Sequence, residues 1–473
     1  MIQEAFEVSE KYGTPVIFRA TTRVDHGYEA LEIKDPEEYV KNVPEGFVKD
    51  PSRWVIFPKL SVKNHALIEK RNVELADVFS EYSRNVILKE KQPCRKGIAT
   101  HGANFGYVQD ACKERNLRIL RVATPFPFPE KLAREFLEGL DEVLCVEELD
   151  PVIERALIYV CGKYGLQVRI RGKKTGDIPL SGENTLEIVE NAIARFLGED
   201  AAAKEDQPKP PALPVRPPVL CAGCPHRASF YAVKVAMKGQ KTIYCGDIGC
   251  YTLGNAQPLD MCDTCLCMGA GIGIAQGVYH TEPDTKCFAF VGDSTFFASG
   301  ITETINAFYN QADLTLVILD NSTTAMTGHQ PHPGTGRTVM GQVVEKVSME
   351  KVLSAIGLTT VETVDPLDFK QNVETVKRVA ALPGVKAIIF RSPCIALTKP
   401  KGCSAVDPEK CIACGKCIRE LGCPALILGE DSKKAKIDTS LCTGCTLCEQ
   451  LCPVSAISGG SKNDTAKEGK ANE

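Results

Sequence analysis

Short apolar runs alternate with amphipathic stretches over most of the chain. KGIATHG at 96–102, LRILRVA at 117–123 and DEVLCVEE at 141–148 are compact aliphatic runs, the pattern of buried strands. Between and after them, NFGYVQDACKER, PEKLAREFLEGL and DPVIERALIYVCGKYG repeat apolar residues at helical spacing. Strands and helices that alternate with short connections predict a parallel sheet. CFAFVGD at 287–293 and LTLVILDN at 314–321 belong to a second such unit, and both end in polar residues. Near the N-terminus FEVSEKYG predicts a helix and TPVIFRAT a buried strand, so 1–60 reads as the end of an α/β domain.

The remaining pattern divides the chain. Residues 61–198 form an α/β unit that begins with a charged helical connector over 61–93. Residues 199–220 hold six prolines between 208 and 218 and predict an extended, stiff linker. A second α/β unit covers 221–401, a cysteine-rich tail 402–458, and the polar end 459–473 is expected to be disordered.

Composition narrows the classes. A chain of 473 residues suits about three domains of ~150 residues. The formal net charge is −4 without a long basic run, which argues against nucleic acid or an anionic membrane as partner. No apolar run reaches the ~18 residues of a membrane span. The first residues carry Glu4, Glu7 and Glu10 rather than an apolar signal core, so a cytoplasmic location is expected. The 22 cysteines then point to metal or cluster ligation in a reducing compartment rather than disulfides.

Eight of those cysteines make two runs. Cys411, Cys414 and Cys417 are followed by Cys423-Pro424; Cys442, Cys445 and Cys448 are followed by Cys452-Pro453. Three thiolates at this spacing hold three corners of an iron–sulfur cubane, and the fourth cysteine of each run reaches the other cluster. This assigns Cys411, Cys414, Cys417 and Cys452 to one [4Fe–4S] cluster, and Cys442, Cys445, Cys448 and Cys423 to a second. Zinc sites usually pair two separated CxxC units and fit the repeated third cysteine poorly.

A second signal lies at strand ends. Gly292-Asp293-Ser294 closes one strand and Asp320-Asn321 the next, where ligands bind in open parallel sheets. An Asp carboxylate and an Asn amide oxygen are hard donors suited to Mg²⁺ beside phosphate oxygens. The stretch resembles the thiamine-diphosphate motif, with Ser294 where that motif usually has Gly. The resemblance implies that Asp293, Asn321 and the Thr323 carbonyl hold Mg²⁺. Upstream, the small-residue helix from Met268, with Gly269 and Gly271, suits close backbone approach to a bulky cofactor, or to the sheet.

Together, TPVIFRATTRV, IATHGANFGYV, GDIGCYTLG, LDNSTTAMTGHQPHPG and the tail resemble the alpha subunit of the indolepyruvate:ferredoxin oxidoreductases, in the 2-oxoacid:ferredoxin oxidoreductase family. The resemblance implies an α/β fold of thiamine-diphosphate-binding, doubly wound parallel-sheet domains with a C-terminal bacterial-type 2[4Fe–4S] ferredoxin domain. It makes 1–60 the end of a truncated pyrimidine-binding domain, 61–198 a transketolase C-terminal-like domain and 221–401 the pyrophosphate-binding domain. The family's activating Glu falls outside this sequence, so another chain or a longer one is expected to supply it. Cys221, Cys224, Cys250 and Cys394 match positions that hold a third, proximal cluster, with Cys262, Cys265 and Cys267 as competing thiols; Cys94, Cys112, Cys145 and Cys161 read as core. His226 and His329 are candidate pocket residues, as is His332, and no catalytic residue is assigned. The implied reaction is oxidative decarboxylation of aryl pyruvates such as indolepyruvate with coenzyme A. Its products are an aryl-acetyl-CoA, CO₂ and reduced ferredoxin. The alternatives are another 2-oxoacid, or an electron-transfer subunit without catalysis of its own. Implied partners are a small gamma (beta) subunit in a hetero-oligomer and an external ferredoxin.

Overall fold

The computed structural model describes residues 2–39, 46–199, 211–400, 402–429 and 433–459. It divides into two compact units, Met1–Pro211 and Ala212–Glu473. Among the described residues no helix is long and apolar enough to cross a membrane.

In the first unit the strands are β1 (Val86–Leu88), β2 (Lys96–His101), β3 (Arg118–Val122), β4 (Glu142–Val146) and β5 (Arg169–Arg171), in the order β1–β3–β2–β4–β5. The last four are mutually parallel, and β1 runs antiparallel to β3. Successive side chains face opposite sides, as strand geometry requires. Ile98, Ile119 and Leu144 enter one core beneath the helices Asn104–Ala111 and Leu186–Leu197. Ala99, Leu120 and Val143 enter the other, beneath Glu130–Leu137 and Val152–Tyr164. Cys112, Cys145 and Cys161 are buried in these cores and Cys94 packs against one of them.

Three local expectations are corrected. TPVIFRAT forms no strand: residues 14–20 carry no regular structure, and Ile17 is 90% exposed. Apolar character alone does not make a strand; its backbone groups need a neighbour, and none of the five strands of this sheet comes from that segment. The connector is one helix, Pro58–Ser80, and its end supplies β1. The helix expected over 104–115 stops at Ala111.

Arg118 holds the edge of this sheet. Its Nε and Nη2 donate to the two carboxylate oxygens of Glu90 at 3.0 and 2.7 Å, and Nη1 donates to the carbonyls of Phe136 and Glu138. The Arg118 hydrogen bonds pull the Glu90 carboxyl down to about 2, against ~4.3 in an unfolded chain. A depressed folded pKa stabilises above the unfolded value and is lost as pH falls toward the folded one. Glu90→Gln should therefore lower the thermal midpoint at pH 7. The gap to wild type should close between about pH 4 and pH 2, as read by melting curves across pH.

The second unit carries β6 (Thr242–Cys245), β7 (Lys286–Gly292), β8 (Leu314–Asp320), β9 (Val361–Val364) and β10 (Val385–Arg391), all parallel, in the order β6–β7–β8–β10–β9. Phe288, Phe290, Val317, Leu319, Ile388 and Phe390 face one side; Ala289, Val291, Leu316, Ile318, Ala387 and Ile389 face the other. This near-continuous apolar character is what burial on both faces demands. The tail adds two antiparallel pairs, Ala405–Val406 with Ile457–Ser458 and Leu426–Leu428 with Ala435–Ile437. Its helices Lys416–Leu421 and Leu447–Leu451 bury Leu421, Leu447 and Leu451 in the same core as Phe230, Tyr231 and Val376. Polar ties reinforce the docking: Tyr231 donates to Glu420 at 3.1 Å, and Gln450 exchanges bonds with Phe369 N and Leu367 O.

Candidate active site and cluster cradles

Polar and cysteine residues, several of them singled out from sequence, collect at the carboxyl ends of four adjacent strands. Gly246 and Asp247 follow β6, Asp293 follows β7, Asn321 follows β8, and Ser392 to Cys394 follow β10. Backbone bonds cross between two of these ends: Ser392 N donates to Asp320 O, and Cys394 N to Asn321 O at 2.9 Å.

Asp293 is buried. Its Oδ1 accepts the N–H of Ser294 at 2.8 Å, while Oδ2 has no hydrogen-bond partner. His332 Nε2 lies 3.1 Å from that oxygen, yet both atoms lack an aligned hydrogen bond. The Nδ1 of His332 accepts from Gly334 N. Asn321 is oriented from both ends of its amide: Oδ1 accepts from Thr323 N at 3.3 Å, and Nδ2 faces His226 Nε2 at 3.3 Å. Burial pushes His226 down to about 4, although the Asp293 charge pulls the other way. It is therefore neutral near pH 7, with Nε2 accepting. Burial raises the Asp320 carboxyl; the Arg391 hydrogen bond lowers it and the neighbouring Asp293 charge raises it further.

This set fits a hard cation with a phosphate ligand. A buried, orphaned carboxylate oxygen beside a second acid is costly by itself, and a divalent ion would complete it. The Thr323 carbonyl already accepts from Ala325 N and keeps a second lone pair. Gly269 caps the helix Ala270–Thr281, and its N–H donates to Asp247 Oδ1 at 2.9 Å. A Cβ on Gly271 would stand 2.7 Å from the Gly246 carbonyl, so glycine there lets the helix close onto the end of β6.

The cysteines sort into sets by their mutual electrostatics. Burial raises the Cys417 thiol, and Cys414 and Cys452 add to it. Burial likewise raises Cys445, with Cys423 and Cys442 adding, and Cys448, pushed up to about 12, with Cys445 and Cys423 adding. Cys423, Cys442, Cys445 and Cys448 line one cavity, an empty volume of about 460 Å³ that includes open solvent. That is the donor chemistry and arrangement of a cubane cradle. Among the described residues no three His, Cys, Asp or Glu side chains converge as a single metal ion would need. Near the strand ends, burial raises Cys250, with Cys394 and Cys221 adding; burial raises Cys224 to about 12, and Cys221 adds to that. The four form one neighbourhood. Cys262 and Cys265 are instead neighbours of each other, and Cys267 is exposed.

His329 is exposed with φ 65°, away from the buried pair; His332 takes the place at Asp293. Sequence reasoning missed Asp247 and Tyr251. Tyr251 donates to Asp247 Oδ2 at 2.8 Å and meets the His226 ring edge-on. Only the places of both residues in the GDIGCYTLG string hinted at this. Arg391, bonded to both Asp320 and Glu350, carried no signal at all.

Residues 247–390 match the thiamine pyrophosphate enzyme C-terminal TPP-binding domain, and 404–458 match a 4Fe-4S dicluster domain. Fold and site thus define a thiamine-diphosphate-binding chain with an iron–sulfur domain attached. The chain is 39% identical over 469 residues to the indolepyruvate oxidoreductase subunit IorA of Methanothermobacter thermautotrophicus, covering 96% of this chain and 74% of that relative. It is 37% identical over 494 residues to the Thermococcus kodakarensis subunit IorA, covering 97% and 75%. It belongs to this IorA family and so to the 2-oxoacid:ferredoxin oxidoreductases. A shorter stretch is 35% identical over 123 residues to the 2-oxoglutarate synthase subunit KorB of Archaeoglobus fulgidus, 25% of this chain and 46% of that one.

Proposed function

We propose that this chain takes part in the oxidative decarboxylation of aryl pyruvates with coenzyme A, giving an aryl-acetyl-CoA, CO₂ and reduced ferredoxin. One observation carries the redox part of the reading. Cys221, Cys224, Cys250 and Cys394 gather where Asp293 and Asn321 also lie, and Cys224 lines the tail cavity too. A thiamine site of a simple decarboxylase has no use for that continuity of thiols. The names of the IorA relatives favour aryl pyruvates as substrate; the KorB stretch favours another 2-oxoacid as the second reading.

Thiamine diphosphate, when bound, supplies the electron sink for loss of CO₂. Asp293, Asn321 and the Thr323 carbonyl would hold Mg²⁺ and through it the diphosphate. Neutral His226 and Asp247 hold Asn321, Tyr251 and the glycine helix in place. Cys221, Cys224, Cys250 and Cys394 would hold a proximal cluster. The Cys423, Cys442, Cys445, Cys448 cradle comes next and the Cys411, Cys414, Cys417, Cys452 cradle last, with Cys414 exposed for delivery to ferredoxin. A small partner subunit and a cytoplasmic setting complete the proposal.

The test is ferredoxin reduction without oxygen by the complex isolated from its native host, with and without coenzyme A, across a panel of 2-oxoacids. Indolepyruvate and phenylpyruvate should drive reduction only with coenzyme A. Activity with pyruvate or 2-oxoglutarate and none with aryl pyruvates would remove the substrate assignment. Iron near about eight rather than twelve per chain would remove the proximal cluster, at four irons per cubane.

A further inference from the structure

Arg227 lies in the first turn of the helix Pro225–Ala236 and is buried. Its Nη1 donates to the carbonyls of Leu421 and Gly422 at 2.6 and 3.0 Å, and Nη2 to that of Leu220 at 2.6 Å. These acceptors are neutral and Nε has no partner. Among the described residues, every hydrogen-bond acceptor of Arg227 is a backbone carbonyl rather than a carboxylate. A buried cation in this state is costly unless negative charge lies close by.

The groups it faces are sulfur. Arg227 lines the cavity ringed by Cys423, Cys442, Cys445 and Cys448, and Cys224 lines it as well. The two cysteine loops are in contact at this point. Gly223 sits at φ +74°, and a Cβ there would stand 1.9 Å from Thr443 Oγ1. The loop Cys221–Cys224 therefore lies directly against the loop Cys442–Cys445, with Arg227 at the junction.

We propose that Arg227 is a positioning residue for electron transfer: a fixed, buried positive charge that holds up the reduction potential of the cluster on Cys423, Cys442, Cys445 and Cys448. A cubane with four thiolates is an anion and gains another negative charge on reduction. A nearby cation at low dielectric favours the reduced form. The proposal rests on the cluster assignment above, but not on the substrate or on the proximal cluster.

Its test is a potentiometric titration of the holoprotein, followed by electron paramagnetic resonance of the reduced clusters. Arg227→Met should shift one tail couple at least tenfold toward the oxidised form, ~59 mV for one electron, and leave the other in place. Arg227→Lys keeps the charge and should stay within about threefold of wild type, ~30 mV on the same scale. If Arg227→Met moves neither couple, or if both variants move a couple alike, the charge has no such role and Arg227 only ties backbone carbonyls together. Should the Met variant fail to assemble, Arg227→Lys decides: retained potentials support the proposal and a tenfold shift overturns it. Wild-type protein without iron would instead sink the cluster assignment itself, a result distinguishable from either.

Discussion

Asp293→Asn is expected to make the cofactor-free protein more stable while removing its response to thiamine diphosphate and Mg²⁺. The two effects have one cause. Asp293 is 3% exposed, its Oδ2 has no hydrogen bond, and its charge acts on the buried Asp320 carboxyl. Leaving a buried acceptor unsatisfied costs about 1–3 kcal/mol, and more when it is charged. His332 at 3.1 Å offsets part of this, so the gain on neutralisation belongs at the lower end. The same neutralisation removes the hard anionic donor a magnesium ion prefers. A ligand at one hundred times its dissociation constant stabilises a protein by about 2.7 kcal/mol, and that increment should vanish in the variant. Melting curves with and without thiamine diphosphate plus Mg²⁺ read both effects at once. If the Asp293→Asn variant keeps the ligand-induced shift, the magnesium role is refuted. If it is less stable than wild type without ligand, the carboxylate is structural.

What could be read from the sequence follows from how local each signal is. The parallel sheets were legible because residues such as Val143–Val146 and Leu316–Leu319 are apolar on both faces, which only a covered sheet tolerates. Asp293 and Asn321 were legible because strand ends are marked by the change from apolar to polar. TPVIFRAT misled because a strand needs a neighbour as well as a composition. The sequence offers His329 and His332 alike as pocket candidates, whereas the structure buries His332 beside Asp293 and leaves His329 exposed. Both sit in one loop, three residues apart, and only the turn through Gly328, His329 and Pro333 determines which ring turns inward. Arg227 and Arg391 act by meeting groups 194 and 71 residues away in sequence, and no short pattern encodes such pairs.

Cys452→Ser should destroy the cluster held by Cys411, Cys414 and Cys417, although Cys452 follows Cys448 closely in the same run. The crossing has a structural reason. Cys417 is in the helix Lys416–Leu421 and Cys423 comes just after it; Cys448 is in Leu447–Leu451 and Cys452 comes just after that. Each helix carries the chain from one cradle toward the other; at 1.5 Å per residue the first spans about 9 Å and the second about 7.5 Å. Cys452 accordingly acts on Cys417, and Cys423 on Cys445 and Cys448. The cavity that holds Cys423 excludes Cys452. Double variants make the prediction decisive. Cys452→Ser with Cys411→Ser removes two ligands of one cluster and should cost about four of the eight tail irons. Cys452→Ser with Cys445→Ser takes one ligand from each and should cost nearly all eight. Iron and sulfide content after anaerobic reconstitution would distinguish the two. The opposite ranking would mean that each run of four cysteines closes its own cubane. The loop at Gly223 would then face a differently built cluster, and the electron route from the thiamine site would have to be redrawn.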